Sequence, residues 1–408
     1  MKYRLKKHNS RLKGAIKLES SKSESNRALI INALAGGDVA NIQNLSKARD
    51  TQTMLALLGK KPEVYDVKDA GTTMRFLSAY LAIHGTGDTI TGTERMKERP
   101  IGPLVDALRS LGAEIEYFEK EGFPPLKINK IEKQLSSEIS IPGNISSQYI
   151  SALLMIAPCL PQGLSIRLTT EIYSRPYIQM TLDLMHAFGV VSRWIGKKIA
   201  VAPQVYEPTI YTIEGDWSGA SYWYSFVALA PEKGYLNLPG IRNYSTQGDK
   251  KITNIMYQMG VASHFESGKV KLLKREEKAE YLELDFRDCP DLAQTVMVAA
   301  AASGITLKMT GLESLKIKET DRIYAMQTEL ARIGALLVDE EDQWLLKPVK
   351  DLPTSVEIDT YEDHRMAMAF APLCQLMDVT IKDPMVVEKS YPGFWDEIRK
   401  LGVEISEV

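Results

Sequence analysis

The sequence predicts an α/β protein of two domains, each assembled from three similar units. A chain of 408 residues is too long for one hydrophobic core, so two domains are the default expectation. Helical segments alternate with short β-rich runs along the whole length, which is typical of α/β proteins. The alternation also recurs at a nearly constant interval, and this predicts a repeated structural unit.

The first helix of the unit opens with small polar residues and continues as an apolar run. Six such segments begin at Ser21, Ala70, Ser146, Ser218, Asp291 and Asp363. Their starts lie 49, 76, 72, 73 and 72 residues apart, and the regularity of the last four intervals makes chance the weaker explanation. A period of more than 70 residues is too long for a solenoid repeat, so compact packing into domains is expected.

A second helix follows the first in five of these units. It reads as an amphipathic segment that ends at a glycine, namely Gly112, Gly189, Gly260, Gly334 or Gly402. Glycine after the last turn is the expected C-terminal stop of a helix. Short β-rich runs come next, for example residues 113–119 and 335–349. The predicted unit is therefore strand–helix–strand–helix–strand–strand, with three units in each domain.

Composition excludes several classes of function. The net charge is only -2, so the chain has no overall attraction to nucleic acid or to an anionic membrane, and any anion site must be local. Cys159, Cys289 and Cys374 lie far apart without a CxxC pair, which argues against a disulfide framework or a thiolate zinc site. No apolar run approaches a bilayer span, and the basic N-terminus lacks the apolar core of a secretory signal. A cytoplasmic protein is expected.

The polar starts of the apolar helices are candidate anion sites. The first N–H groups of a helix are unpaired and, together with the helix dipole, attract phosphate and carboxylate. Plain capping is the commoner meaning of any single helix start. The first of these helices also carries Lys22 and Arg27, and the sixth carries His364 and Arg365. Several such starts in one cleft would form a polyanion site without a high net charge.

The segment KETDR, residues 318–322, has two interpretations. As a helix start it is most often an exposed ion-pair turn capped by Thr320 or Asp321. Alternatively, Glu319 is held between Lys318 and Arg322, where a carboxylate stays ionised at rest and can still pass a proton.

Ten short segments spread from end to end carry a more specific signal. They are SKSESNRAL (21–29), DAGTTMRFL (69–77), ERMKERPIGPLVDAL (94–108), PGNISSQYISALLM (142–155), YSRPYI (173–178), EGDWSGASY (214–222), PDLAQT (290–295), KETDRIYAM (318–326), DHRMAMAF (363–370) and KSYPGFW (389–395). In this order they resemble the motifs of the EPSP synthases, a family within the enolpyruvyl transferases. The resemblance covers essentially the whole chain.

The resemblance implies the two-domain enolpyruvyl-transferase fold, with three βαβαββ repeats in each domain and the helices buried inside. Residues 20–213 would form the N-terminal lobe, and residues 1–19 with 214–408 the C-terminal lobe. Crossovers near residues 20 and 214 would hinge the lobes, which close over substrate. The segment 54–69 is shorter than in the family, so the first repeat is expected to lack a hairpin or to have trimmed strands.

The implied activity is transfer of the enolpyruvyl group of phosphoenolpyruvate to the 5-hydroxyl of shikimate 3-phosphate. Phosphate is released through a tetrahedral intermediate, on the route to chorismate and the aromatic amino acids. Such chemistry needs no metal or cofactor; it needs clustered cations that stabilise accumulating negative charge. The two substrates would be the only partners, without nucleic acid or membrane, and a monomer is expected. Glyphosate is expected to inhibit, because Gly71 keeps a tight slot open for a ligand.

The resemblance also implies the site residues. Shikimate 3-phosphate would be bound by Lys22, Ser23, Arg27, Ser146, Ser147, Gln148, Ser174, Tyr177, Asp291, Ser314 and Lys318. Phosphoenolpyruvate would be bound by Lys22, Gly71, Arg99, Gln148, Arg322, His364, Arg365 and Lys389. The catalytic residues would be Asp291, which accepts the proton of the 5-hydroxyl, Glu319, which delivers one to the methylene carbon, and Lys22.

The chain departs from the family pattern at two of these places. Asp69 stands where the family has Asn, which puts a carboxylate beside an anion site, and Arg75 is the expected neutralising partner. Ser314 stands where Asn commonly contacts the shikimate phosphate. Asp69 and Phe76 would also influence the strength of glyphosate inhibition.

Three alternatives remain open at this point. The related UDP-N-acetylglucosamine enolpyruvyl transferases use a cysteine in the N-terminal domain, whereas the first cysteine here is Cys159, which is expected in the core of an apolar helix. A non-catalytic repeat scaffold predicts no concentration of ionisable groups at the helix starts. A nucleotide-using enzyme would need a GxxxxGK or GxGxxG loop, and the sequence has neither.

Overall fold

The computed structural model describes residues 1–266, 268–341 and 343–408 and divides the chain into two compact units. The N-terminal unit is Ser20–Ile213, and the C-terminal unit combines Met1–Glu19 with Glu214–Val408. Each unit encloses its own cluster of buried hydrophobic residues. Within the described residues, no helix is both long and apolar enough to cross a membrane.

The elements alternate as the sequence pattern predicts. The strands are β1 Lys2–Leu5, β2 Lys13–Ala15, β3 Ile42–Gln43, β4 Val64–Asp66, β5 Thr86–Thr91, β6 Ile115–Tyr117, β7 Leu126–Asn129, β8 Glu138–Ile141, β9 Leu164–Leu168, β10 Ser192–Ile195, β11 Lys198–Val201, β12 Tyr211–Thr212, β13 Tyr235–Pro239, β14 Val261–Glu266, β15 Lys269–Lys274, β16 Tyr281–Asp285, β17 Thr306–Thr310, β18 Leu336–Glu340, β19 Gln343–Lys347, β20 Ser355–Ile358, β21 Asp378–Lys382 and β22 Ile405–Glu407. The α-helices are α1 Lys22–Leu34, α2 Arg49–Lys60, α3 Gly71–His84, α4 Glu94–Lys97, α5 Gly102–Leu111, α6 Ser147–Ile156, α7 Arg175–Ala187, α8 Trp217–Leu229, α9 Ile252–Gln258, α10 Ala293–Ser303, α11 Arg322–Arg332, α12 His364–Phe370 and α13 Phe394–Lys400.

Five four-stranded sheets share one plan. Their orders are β4-β5-β7-β6 and β10-β11-β9-β8 in the N-terminal unit, and β14-β15-β13-β2, β16-β17-β19-β18 and β20-β21-β1-β22 in the C-terminal unit. Each contains one parallel pair, and its other pairs are antiparallel. A parallel pair requires a crossover connection, and the apolar helices supply it, as α10 does between β16 and β17.

The sheet of the first repeat is smaller. It pairs β3 with β12 in parallel over two residues each, and α2 leads directly to β4 of the next sheet. The N-terminal strands β1 and β2 pair with strands of the C-terminal unit.

The apolar crossover helices form the interior of each unit. In α10 every residue from Ala293 to Ala301 is buried, because its side chains are apolar on nearly all faces and the helix is therefore packed on all sides. The amphipathic helices lie nearer the surface and end at the predicted glycines. All five of these glycines have positive φ, between 86° at Gly189 and 111° at Gly112. The predicted helix stops are therefore confirmed.

One local prediction is wrong. Cys159 was expected in the core of an apolar helix, but α6 ends at Ile156 and Cys159 is exposed at the end of a 3₁₀ helix, Ala157–Cys159. Pro158 lacks the N–H that would continue the α-helical hydrogen bonds, so the chain turns outward here.

Candidate active site

In the C-terminal unit, Arg322 joins three carboxylates from separate segments. Its Nε donates to Asp363 Oδ2 at 2.7 Å, its Nη1 to Asp291 Oδ1 at 3.1 Å and its Nη2 to Glu319 Oε2 at 2.8 Å. Burial alone would lower the pKa of this guanidinium, but the three carboxylates raise it above its ordinary value. A guanidinium has five N–H groups. Three of these groups are taken up by the three carboxylates.

Asp291 lies in a 3₁₀ helix, Pro290–Leu292, just before α10. Its Oδ2 pairs with Arg365 Nη2 at 2.8 Å, and its Oδ1 receives Arg322. Burial would raise the pKa of Asp291, yet the charges of Arg365, Lys318 and Arg322 outweigh burial and hold the pKa well below the ordinary value. Arg365 Nη1 also donates to Tyr222 Oη at 3.3 Å. Asp291 is thus an ionised carboxylate clamped by two guanidinium groups.

Glu319 is the second predicted catalytic carboxylate. It pairs with Arg322, and its Oε1 lies 3.9 Å from Lys389 Nζ. Lys389 is buried at the end of a 3₁₀ helix, Pro384–Lys389. The half-buried neighbour Lys318 has its pKa lowered, first by burial and further by the charge of Arg322, while Asp291 opposes the shift.

The cluster carries excess positive charge. Its cations are Lys318, Arg322, Arg365 and Lys389, and its carboxylates are Asp291, Glu319 and Asp363. Four positive groups against three negative groups leave one net positive charge. Such a cluster suits an anionic ligand that can share the cations.

Asp363 is a member of the cluster that sequence reasoning did not place in the site. It is fully buried, its Oδ1 caps α12 by accepting from Arg365 N at 2.9 Å, and its Oδ2 holds Arg322. The sequence does mark Asp363 in one way, because it is a helix-capping residue type placed immediately before His364 and Arg365. His364 is buried beside it, with Nδ1 3.5 Å from Asp363 Oδ1. Ser314 lies half-buried in a 3₁₀ helix, Glu313–Ile317.

In the N-terminal unit, Lys22 opens α1 behind the cap of Ser21. Its Nζ lies 3.0 Å from Oδ2 of Asp50, whose side chain is only 3% exposed in the first turn of α2. Asp50 was not predicted, because nothing in its local sequence marks it. This ion pair offsets part of the positive charge of Lys22 at the start of α1, where the helix dipole already attracts anions.

Arg27, one turn further along α1, is 2% exposed. Its Nε donates to Thr181 Oγ1 at 2.8 Å, its Nη2 to Ser151 Oγ at 3.2 Å and its Nη1 to the carbonyl of Ser23 at 2.9 Å. Burial lowers the pKa of Arg27 to about 10. These hydrogen bonds reach neutral oxygen atoms, so they do not cancel the buried charge. A nearby phosphate would do so.

Gly71 and Arg99 are in direct contact. A Cβ placed on Gly71, at the start of α3, would lie 2.6 Å from Arg99 Nη1. The Arg99 Nε is buried and has no hydrogen-bond partner within the described part of the chain. Gln148 in α6 donates from Nε2 to Thr72 Oγ1 at 3.1 Å, which brings the starts of α3 and α6 together.

The remaining predicted residues of this unit lie at the starts of α6 and α7. Ser146 caps α6 by accepting from Gln148 N at 3.3 Å, and Ser147 is buried in its first turn. Ser174 precedes α7 with φ 54°, a left-handed conformation that is rare without glycine, and its side chain does not cap the helix. Tyr177 is half-buried, and its N–H bonds the carbonyl of Ser174 at 3.0 Å.

The partner expected for Asp69 needs correction. Asp69 Oδ2 pairs with Arg49 Nη2 at 3.0 Å, so Arg49 supplies a neutralising charge. Arg75 donates instead to the carbonyls of Gly71 at 3.0 Å and Pro100 at 2.9 Å. Arg75 is the nearer of the two arginines in the sequence, whereas Arg49 comes from α2, which packs on α3.

A further carboxyl was also not predicted. Asp249 is 3% exposed and accepts a hydrogen bond from Ser218 Oγ. Burial raises the pKa of Asp249 to about 7, the negative charge of Asp291 adds to the rise, and Arg365 opposes it. No group of three or more His, Cys, Asp or Glu side chains in the described ranges could hold a metal ion.

Comparison with known proteins identifies the family. The family model of EPSP synthase (3-phosphoshikimate 1-carboxyvinyltransferase) matches residues 6–61 and 57–398. A 3-phosphoshikimate 1-carboxyvinyltransferase of Bacteroides fragilis is 50% identical over 401 residues, covering 97% of each chain, and one of Colwellia psychrerythraea is 38% identical over 96% of this chain and 97% of its own.

Solved structures agree on the fold. The EPSP synthase of Acinetobacter baumannii superimposes with a TM-score of 0.81 at 20% sequence identity, over 100% of both chains. The predicted two-domain enolpyruvyl-transferase fold class is thereby confirmed. On the family model and the sequence identity, the chain belongs to the EPSP synthase family.

Proposed function

We propose that the buried ion cluster around Arg322 and the basic helix starts of the N-terminal unit serve one reaction. That reaction is the transfer of the enolpyruvyl group of phosphoenolpyruvate to the 5-hydroxyl of shikimate 3-phosphate, with release of phosphate. Family membership and the names of the 50% identical relatives support this activity. The observation that supports the mechanism best is that Asp291 and Glu319 share the cation Arg322.

Phosphoenolpyruvate carries a phosphate and a carboxylate, and the cluster has cations for both. In the proposal, Arg322, Arg365, Lys389 and His364 of the C-terminal unit bind it, together with Lys22, Gly71, Arg99 and Gln148. The buried Nε of Arg99, which lacks a protein partner in the described residues, supports an anion beside Gly71. Bidentate guanidinium contacts would fix the orientation of the carboxylate.

Asp291 accepts the proton of the 5-hydroxyl in this mechanism. At rest its pKa lies below the ordinary value, so it is a weak base. An incoming anion that takes up the charge of Arg365 and Arg322 weakens that stabilisation and raises the pKa of Asp291. Substrate binding would thus make the carboxylate more basic at the step that needs a base.

Glu319 supplies the proton to the methylene carbon. Its two oxygens face Arg322 and Lys389, so they lie among cations that an anionic ligand would share. A carboxylate whose counterions turn to substrate gains a proton more readily. The tetrahedral adduct then loses phosphate together with one proton of the new methyl group, which restores the carbon–carbon double bond, and the clustered cations stabilise the leaving charge.

Shikimate 3-phosphate is assigned to Lys22, Ser23, Arg27, Ser146, Ser147, Gln148, Ser174, Tyr177, Asp291, Ser314 and Lys318. The buried charge of Arg27, and a Ser174 side chain that does not cap α7, support a phosphate near the starts of α1 and α7. A cytoplasmic monomer belongs to the same proposal. Sedimentation of the purified chain as a dimer or larger assembly would contradict the monomer.

A phosphate-release assay with phosphoenolpyruvate and shikimate 3-phosphate tests the activity, with UDP-N-acetylglucosamine as the alternative acceptor. Release with the UDP-sugar alone would reassign the activity. Asp291→Asn keeps the shape of the side chain and should lower kcat by about 100- to 10,000-fold. Lys22→Ala should be combined with Asp50→Asn, because the single change leaves a buried carboxylate without its cation. Wild-type turnover in either variant would remove that residue from the mechanism.

A further inference from the structure

A strained turn immediately precedes the helix that carries Arg365. Tyr361 and Glu362 are consecutive residues with φ of 52° and 56°. Neither is glycine, and residues with side chains rarely adopt this left-handed region. The next residue is Asp363, which holds Arg322 and caps α12. The conformation of the turn therefore determines where Asp363 and Arg365 lie.

One buried carboxylate on a neighbouring helix holds this turn. Glu329 in α11 is 0% exposed and accepts from Tyr361 Oη at 2.8 Å and from Asp359 N at 3.3 Å. Arg332 Nε lies 3.1 Å from the same carboxylate. Burial and the charge of Glu329 raise the pKa of Tyr361 to about 12, so the phenol stays protonated and continues to donate.

Helix α11 is therefore hydrogen-bonded to the segment 359–363 at two points. Arg322 in its first turn bonds Asp363, and Glu329 bonds the start of the segment. The two residues are seven positions apart, which is about two helical turns and places them on one face of the helix. Between these two contacts the chain passes through the strained turn at Tyr361 and Glu362.

We propose that Glu329 is a positioning residue for phosphoenolpyruvate. It holds the Tyr361–Glu362 turn in its left-handed conformation, so that Asp363 orients Arg322 and α12 presents Arg365. This inference rests on the proposed function, because it assumes that the two arginines bind that substrate. Glu329 itself contacts neither substrate nor reacting atoms in the proposal.

Glu329→Gln is the test variant, because it preserves the size of the side chain and removes its charge. The KM for phosphoenolpyruvate should rise about 5- to 30-fold, while the KM for shikimate 3-phosphate and kcat stay within about two-fold. Glu397→Gln is the matched control. Glu397 is also buried, pairs with a base three residues later at Lys400 and accepts from a distant backbone N–H, that of Lys17 at 2.9 Å. It should leave both KM values unchanged.

A rescue experiment tests whether Glu329 acts by holding the turn or only by stabilising α11. Glu362 is exposed, and glycine adopts positive φ without a steric penalty, so Glu362→Gly should favour the same turn by itself. When Glu362→Gly is added to Glu329→Gln, it should reverse at least about half of the rise in the logarithm of the KM for phosphoenolpyruvate. An equal rise in both KM values, an equal effect of Glu397→Gln, or no rescue would overturn the inference.

Phosphate release by the wild-type enzyme distinguishes a failure of this inference from a failure of the proposed function. Failure of the wild type to release phosphate from the two substrates would reject the proposed function. Normal wild-type turnover together with an unchanged KM in Glu329→Gln would reject only the positioning role. Melting temperatures of Glu329→Gln, Glu397→Gln and the Glu329→Gln/Glu362→Gly double variant, measured alongside, show whether a change in KM accompanies a loss of fold.

Discussion

Asp363→Asn is the most direct test of the ion cluster, because it changes one atom of a fully buried side chain. Asp363 accepts two hydrogen bonds with two different oxygens, from Arg365 N at 2.9 Å and from Arg322 Nε at 2.7 Å. Asparagine has only one acceptor oxygen. Whichever way its amide turns, one donor therefore faces an NH₂ group, and Arg322 also loses one of its three carboxylates.

The size of the effect follows from these two contacts. Removing one partner of a buried hydrogen bond leaves the other unsatisfied, which costs about 1–3 kcal/mol and more where that group is charged. Because Arg322 is charged, a cost of about 2–4 kcal/mol is expected. If that cost falls on the transition state, kcat/KM for phosphoenolpyruvate should drop about 30- to 900-fold, at 1.36 kcal/mol per factor of ten.

The assay is steady-state phosphate release with each substrate varied in turn. Asp321→Asn is the matched control, because Asp321 caps the adjacent helix α11 with a single oxygen that accepts from Ile323 N and Tyr324 N, both at 3.1 Å. Asparagine can keep both of those bonds, so its kcat/KM should stay within about three-fold of the wild type. A comparably small change in Asp363→Asn, or an equal loss in Asp321→Asn, would refute the role assigned to Asp363.

Two further predictions concern groups next to the site. Because the fold keeps the proton of Asp249 up to about pH 7 and the unfolded chain releases it near pH 3.8, wild-type stability should fall as the pH rises through that window. Asp249→Asn should remove up to about 4 kcal/mol of this loss, so thermal unfolding should show the variant gaining on the wild type from about pH 4 to about pH 7; a constant difference over that range would argue against it. A Cβ at Gly71 would displace Arg99, so Gly71→Ala should raise the KM for phosphoenolpyruvate and the inhibition constant of glyphosate, each by about 10- to 100-fold. Glyphosate should compete with phosphoenolpyruvate, and Gly59→Ala, which meets no neighbour within 4 Å, should change neither constant.

The elements of the fold could be predicted because their signals are local. An apolar run opened by a capping residue marks a buried helix wherever it packs, and the helices that start after Ser21, Ser146 and Asp363 confirm this. The glycine stops are equally local, because positive φ is a property of one residue. The prediction for Cys159 is wrong for a local reason as well, because Pro158 cannot continue the α-helical hydrogen bonds and α6 ends at Ile156.

The partners within the candidate site could not be predicted, because they meet through tertiary packing. Arg322 and Asp363 are 41 residues apart, and Lys22 and Asp50 are 28 apart, with no periodicity that links them. Arg49 pairs with Asp69 for the same reason, whereas the sequence offered the nearer Arg75. Motif resemblance named the residues that would touch substrate; it did not name Asp363 or Asp50, the carboxylates that pair with Arg322 and Lys22.

Carboxylate counterions explain how the chain can hold several cations in the buried cluster around Arg322. Without counterions, the buried cations of the Arg322 cluster would repel one another and lose hydration, which is costly in a protein interior. Asp291, Glu319 and Asp363 reduce the excess to one positive charge. An anionic substrate then competes with the carboxylates for the same cations. In the proposed mechanism Asp363 transfers no proton and holds Arg322 and the start of α12, whereas Asp291 and Glu319 become more basic as their counterions turn to substrate. Under that proposal, two of the carboxylates whose ion pairs stabilise the folded cluster are also the groups that substrate binding prepares for proton transfer.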